Sequence, residues 1–414
     1  MSGECRVAVI ELKEGGRLPL LFKGDSPFPV SLVCRYVVQM LYPQNLSTNT
    51  ILSEVRSISE LYQWADEQDQ PLDLELALRN QRLVPGQLLS FVNWVKSRPK
   101  RTKDGIARLT EEGTPAVRMG LSTNKVIRSV REFLVWAAGH QAKLTDTEVG
   151  KIAKALNANL VLGRRGARRV GFTPEQKAEL MKCVDPNSPD NPFNQPVRRR
   201  NYTIIKLFFE TGIRRGELLS LQVGDVLVSG SVEPRIAVRV RDTSRTDPRH
   251  IRPRAKTSER DIPIREDTKA LVVDLLLERR ELLKKGIKIK HPFLIVSPSS
   301  GRPLTLDGVN SIFRRISAVR PSLGWVHPHK LRHAFNDDFM ARGAAAGEDL
   351  SSQDFDAMHK HMSGWSPDSK MRSRYTTLFM EKRGGEILRK DQADGSGDTG
   401  KAGGDAGSVS RSTK

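Results

Sequence analysis

The sequence predicts a mainly α-helical protein with a small β-sheet, built as a helical domain followed by an α+β domain. Three observations predict it. The 414 residues exceed what one hydrophobic core usually serves. Beyond the first 45 residues, apolar side chains recur at helical spacing, and only one pair of short stretches alternates as strands do. Between the halves lies GRRGARR, residues 163–169, whose glycines and arginines suit an extended linker.

Residues 1–45 read as short strands and turns, an arm-like segment in which CRVAVIEL and RLPLLF form a hairpin-like pair around KEGG. Residues 46–165 read as a helical domain. Ile51, Val55, Ile58, Tyr62 and Ala65 fall on one helix face, and Val126, Val130, Phe133 and Ala137 on another, with Ser122 or Thr123 as cap. Arg128 and Arg131 point away from the second face, and SRPKRTKDG interrupts the domain as a loop. The second domain, residues 166–390, opens with Thr173 as cap and Pro174 at the first helical position. In it RIAVRVRD and ERDIPI form a β-like pair around a long basic loop. Residues 391–414, rich in Gly, Asp and Ser, read as a disordered tail.

Charge narrows the function. Lys and Arg number 68 against 48 acids, a formal +20. Such an excess gathers phosphates by releasing counterions, so nucleic acid is the expected partner, and a generic basic nucleic-acid binder is one reading. Arg164, Arg165, Arg168 and Arg169 of the linker suit tracking along a phosphate backbone, or a solvated tether. No apolar run reaches membrane-spanning length and no secretory leader is visible. Cys5, Cys34 and Cys183, odd in number and far apart, fit a reducing compartment rather than a disulfide framework. The expected location is the cytoplasm, at the nucleoid.

Three stretches of the second domain gather groups that grip a phosphate. In FFETGIRRGELLSL, a helix stops at Gly212 and another starts with Arg214 in its first turn, Glu217 lying three residues on. Alone, that pair is also what an ordinary surface helix carries. In HPHKLRHAF, His329, Arg332 and His333 share one helix face. The histidine spacing suits zinc, but no glutamate follows the first histidine, so an anion clamp or a polar helix packing remains. In the basic loop, Lys256 either donates a proton in a groove or is one solvated lysine among many. Near the end, HMSGWSPDSKMRSRYTT holds Tyr375, alone in a polar stretch, a surface aromatic or a nucleophile.

TGIRRGE, HKLRH and the Gly-Trp followed by Tyr, in this order, resemble the signature boxes of the tyrosine recombinases, the phage integrase family. The resemblance covers most of residues 46–390. It implies a helical SAM-like core-binding domain and an α+β tyrosine-recombinase catalytic domain. The implied catalytic set is Arg214, Lys256, His329, Arg332, Trp365 and Tyr375, with Glu217 and His333 in support. Tyr375 would attack DNA to leave a 3′-phosphotyrosine and a free 5′-hydroxyl, with Lys256 as general acid. No cofactor and no metal are implied. The partners implied are double-stranded DNA, a homotetramer on it, and accessory directionality proteins. DNA integration by a mobile element is the expected setting. A type IB topoisomerase-like enzyme and a catalytically inert DNA-binding protein of the same fold are the alternatives.

Overall fold

The structure, a computed structural model, describes residues 4–13, 16–42, 44, 46–80, 83–99, 120–141, 145–160, 172–228, 233–241, 246–253, 258–373, 375–377, 379–381 and 383–385. Lys256, the four linker arginines, most of the SRPKRTKDG loop and the 391–414 tail lie outside the described residues. The chain divides into two compact units, Met1–Arg169 with Thr243–Asp247, and Val170–Asp242 with Pro248–Lys414.

The first unit opens with the expected hairpin. Strands β1 (Cys5–Glu11) and β2 (Arg17–Lys23) pair antiparallel, Cys5 opposite Lys23 and Glu11 opposite Arg17. An ion pair of 3.3 Å closes the last register pair. The next segment departs from the expectation of strands and turns: helix α1 spans Ser31–Leu41. Its buried residues, Leu32, Val33, Tyr36, Val37 and Met40, have a helical period that strand-like composition obscures. They share one core with Leu21 of β2 and with the later helices of this unit, so the first 45 residues do not pack separately.

Helices α2 (Thr48–Asp66), α3 (Leu74–Arg79), α4 (Pro85–Ser97), α5 (Gly120–Gln141) and α6 (Asp146–Ala158) complete this unit. Both expected apolar faces are buried in its core. Ser122 and Thr123 are not caps: α5 begins before them, and Thr123 is buried within it. At α6 a capping box forms, the Thr145 N–H donating to Glu148 Oε2 at 2.9 Å.

The second unit begins with α7 (Pro174–Val184), whose first turn is capped by Thr173, its hydroxyl accepting from the Gln176 N–H at 3.2 Å. At its centre runs α8 (Gln195–Thr211), with Ile204, Ile205, Leu207 and Phe208 wholly buried and α7, α10 (Glu266–Lys284) and α12 (Pro328–Ala345) around it. Helix α9 (Arg215–Ser220) comes next, then strands β3 (Val226–Leu227), β4 (Arg235–Val238) and β5 (Arg260–Pro263), paired antiparallel in that order. The expected pair is β4–β5; β3, two residues long, is too short to carry a period. Helices α11 (Leu306–Val319) and α13 (Gln353–Ser363) complete the described elements.

Two features position the site. The long loop from β4 to β5 is pinned near its middle by Arg249, which is buried and donates to the Leu219 and Leu304 carbonyls, each at 2.9 Å. Helix α8 stops at Gly212, which has the left-handed φ of 57° and lies so close to Phe335 that a Cβ would come within 2.2 Å of its ring. We expect Gly212→Ala to destabilise the second unit by about 2–4 kcal/mol, the left-handed cost added to overpacking. Urea titration of the variant against the parent protein measures it, and a change below about 0.5 kcal/mol would contradict this account.

Candidate active site

The site begins with a carboxylate. Glu217, on α9 and 1% exposed, receives the backbone N–H of Arg214 at 2.9 Å and the Arg214 guanidinium at 2.8 Å. Its other side receives the Arg260 guanidinium of β5, at 2.9 Å on Oε2 and 3.4 Å on Oε1. Arg260 also donates through Nε to the Met362 carbonyl at 3.1 Å, tying β5 to the end of α13. There the chain turns at Gly364, φ 58°, where a Cβ would lie 2.3 Å from the Arg260 guanidinium. A side chain at 364 is thus excluded both by backbone conformation and by the arginine. Arg214 keeps a partly exposed face toward a cleft of about 670 Å³.

Helix α12 supplies the opposite wall. Arg332 is buried and donates to the carbonyls of Gly212 and Ser363, joining the ends of α8 and α13. A guanidinium has five N–H donors, so those two bonds leave others for a ligand. Burial, with Arg214 adjacent, pushes the Arg332 pKa down to about 9. Burial and the neighbouring guanidiniums both disfavour this cation, and an anion in the cleft would favour it. His329 reaches the same cleft one turn earlier, its ring edge-on to His333 with centroids 4.2 Å apart.

Tyr375 completes the cleft from the helical residues beyond α13. Its ring stacks on Trp365 with centroids 5.6 Å apart and planes at 18°, and it is only 3% exposed. Its hydroxyl meets His333 Nδ1 directly. Arg372, three residues before Tyr375, bonds Asp356 of α13 at 3.1 Å and holds this helical stretch in place. Beneath the Trp–Tyr pair lies His359, wholly buried, whose Nε2–H donates to Asn336 Oδ1 at 2.8 Å. Ser363 donates to the same oxygen at 2.6 Å, and Asn336 donates to the Arg332 carbonyl at 2.7 Å. Among the described residues His359 Nδ1 has no hydrogen-bond partner, as fits a neutral ring.

Of the residues singled out in the sequence, Arg214, His329, Arg332, Trp365 and Tyr375 line one cleft. Glu217 stands behind Arg214, and His333, expected in support, touches the tyrosine itself. Arg128 is exposed on α5, while Arg131 is held by Asn157 at 2.5 Å and by Glu132. Sequence reasoning passed over Arg260, although a signal exists: it stands in phase with buried Ile262 of β5, on the apolar side of the strand. His327, which also lines the cleft, and the His359–Asn336–Ser363 network were likewise missed. Among the described residues no cluster of three or more His, Cys, Asp or Glu is arranged to hold a metal ion, and no helix is long and apolar enough to cross a membrane.

A helical unit carrying a small antiparallel sheet, with its tyrosine delivered beside two arginines, has the architecture of the tyrosine recombinase catalytic fold. A sequence model of the phage integrase family matches residues 172–382, just over half the chain, and the chain belongs to that family. Tyrosine recombinase XerC of Staphylococcus haemolyticus is 28% identical over 145 residues, 35% of this chain and 41% of its own length. The chain therefore spans about two fifths of that curated relative. Among solved structures, the Tn1549 transposon integrase in complex with transposon right end DNA aligns at a TM-score of 0.52 and 17% identity, covering 85% of this chain and 99% of that one. XerH site-specific recombinase bound to its difH substrate aligns at 0.51 and 14% identity, covering 83% and 80%. At such identities the likeness is one of fold.

This packing has two measurable outcomes. Arg260→Met, which leaves Glu217 buried with one guanidinium instead of two, should cost about 3 kcal/mol or more in a urea titration. A cost near zero would mean that Arg214 alone suffices for the carboxylate. The second outcome concerns pH. Burial, reinforced by Arg372 and Arg332, pushes the His359 pKa down to about 4. An unfolded histidine titrates near 6.5, so the unfolded chain binds the extra proton first and stability falls as pH drops from about 6.5 toward 4. The expected loss is about 3 kcal/mol across that window, absent in His359→Phe; equal slopes in the two proteins would assign the pH dependence elsewhere.

Proposed function

We propose that this chain is a site-specific DNA recombinase that cuts and rejoins DNA through a covalent 3′-phosphotyrosine, serving as the integrase of a mobile element. The observation that carries the reading is the convergence of Arg214, His329, Arg332, Trp365 and Tyr375, from separate stretches of sequence, on one cleft. In this reading Arg214 and Arg332 hold the non-bridging oxygens of the scissile phosphate and stabilise the charge that grows in the transition state. Tyr375 Oη attacks phosphorus, and the P–O5′ bond breaks. Lys256 gives its proton to the leaving 5′ oxygen, His329 assists proton transfer and phosphate binding, and Trp365 packs beside the phosphate. A 5′-hydroxyl then attacks the phosphotyrosine and releases the enzyme. The bond energy is conserved in the adduct, so the chemistry calls for no nucleotide cofactor.

The partner in this reading is duplex DNA, gripped by the +20 chain, with Arg128, Arg131, Arg164, Arg165, Arg168 and Arg169 on its phosphates. The DNA-bound neighbours of the same fold support it. Assembly as a homotetramer on DNA, with accessory proteins setting direction, belongs to the same proposal. An apolar groove of about 740 Å³, lined by Phe335, Phe339, Phe355 and Met362 among others, offers a surface for a neighbouring copy.

Covalent capture tests the proposal. The protein is incubated with sheared genomic DNA of its source, denatured in detergent and purified, and the attached DNA is sequenced. Wild-type protein should retain DNA from a defined site, Tyr375→Phe none, and Arg214→Ala or Arg332→Ala at least about 100-fold less. Equal, negligible retention by wild type and Tyr375→Phe, with binding intact before denaturation, would identify an inert DNA-binding protein. Site-independent relaxation of supercoiled plasmid would identify a topoisomerase.

A further inference from the structure

We infer that His333 is the proton acceptor for the attacking tyrosine, through its Nδ1, an inference that rests on the recombinase reading. A tyrosine hydroxyl loses its proton near pH 10, so attack at neutral pH needs a base that touches Oη. The groups around Tyr375 differ sharply in fitness for this. Arg214 and Arg332 are donors only and stay protonated, and the indole of Trp365 donates only. His359 packs beside the tyrosine ring but touches the hydroxyl with neither nitrogen: its Nε2–H goes to Asn336, and its Nδ1 has no hydrogen-bond partner among the described residues. His333 is the ring that touches the hydroxyl: its Nδ1 meets Oη directly, and in the tautomer protonated at Nε2 that nitrogen accepts the Oη–H. Tyr375 is 3% exposed, which keeps bulk water from serving instead.

The surroundings also explain why the transfer waits for DNA. An imidazolium near Arg332 and Arg214 adds a further positive charge beside the two guanidiniums that line the cleft. A phosphate in the cleft supplies an anion, so the ring takes its proton when the substrate is present. His329, exposed and lining the cleft, lies edge-on to that ring with centroids 4.2 Å apart. In the step itself, the Oη–H electron pair becomes the Oη–P bond and the proton passes to Nδ1. The P–O5′ pair leaves with the 5′ oxygen, which takes its proton from the general acid. When a 5′-hydroxyl attacks in reverse, His333 returns the proton to the departing phenolate, so the cycle closes with no net change.

The test uses the duplex recovered by covalent capture with wild-type protein, and reads single-turnover adduct formation on denaturing gels. Absence of adduct with wild type would sink the recombinase reading itself, before His333 is at issue. His333→Asn places an acceptor that can receive a hydrogen bond but cannot take a proton; His333→Ala removes both functions. Both variants should bind the duplex as wild type does in a mobility shift, and form adduct about 10²–10⁴-fold more slowly. Added imidazole should restore at least tenfold of the rate to His333→Ala and none to Tyr375→Phe. A His333→Asn rate within threefold of wild type would reduce the histidine to a positioning role. A wild-type rate for His333→Ala, or no rescue by imidazole, would overturn the assignment. Should His333→Ala fail to bind DNA, the His333→Asn rate decides alone.

Discussion

A single carboxylate organises the cleft. Glu217 lies where a lone ionised carboxyl would be too costly to keep, and it stays charged because two guanidiniums and a backbone N–H surround it. Each partner comes from a different place: Arg214 from the start of α9, Arg260 from the edge of the sheet. Through the Met362 carbonyl, Arg260 extends the connection to the end of α13 and the turn at Gly364 that delivers Trp365. Desolvation takes back much of the Coulomb energy of such a cluster. What remains is geometry: the shared carboxylate fixes the start of α9 against β5.

The distribution of charge around it is asymmetric. Glu217 neutralises about one of the nearby cations, while Arg332 donates to the neutral carbonyls of Gly212 and Ser363. The excess is therefore concentrated on the face that opens to the cleft, where a phosphodiester brings the missing charge. Helix α12 carries His329 and His333 on that side, and an imidazole, unlike a guanidinium, can gain or lose a proton in the physiological range. The same helix thus holds one fixed cation and rings able to exchange protons, within a single turn.

Much of this was legible in the chain. Charged residues at helical spacing, as in HKLRH, announce a shared face, and Gly212 announces a helix end; both read directly from local rules. Helix α1 did not, since Val, Tyr and Cys in SLVCRYVVQML resemble strand composition and only their burial betrays the period. Arg260 was hidden among many basic neighbours, and its phase with Ile262 marks it as inward only once the bounds of the strand are known. The contact of His333 with Tyr375 joins residues 42 positions apart, and the His359 network joins α12 to α13. Such encounters are products of tertiary packing, and spacing along the chain carries no trace of them. Strand β3 was missed for a simpler reason: two residues cannot show an alternation.

Arg249 gives the long basic loop a property of its own. By fixing the loop's middle to the carbonyls of Leu219 and Leu304, it holds that point of the loop beside α9. The loop is thereby divided into two shorter closures, each with less conformational freedom than one long span would have. For an enzyme lineage, that is a fixed point: the course of the loop past α9 is set by one buried arginine.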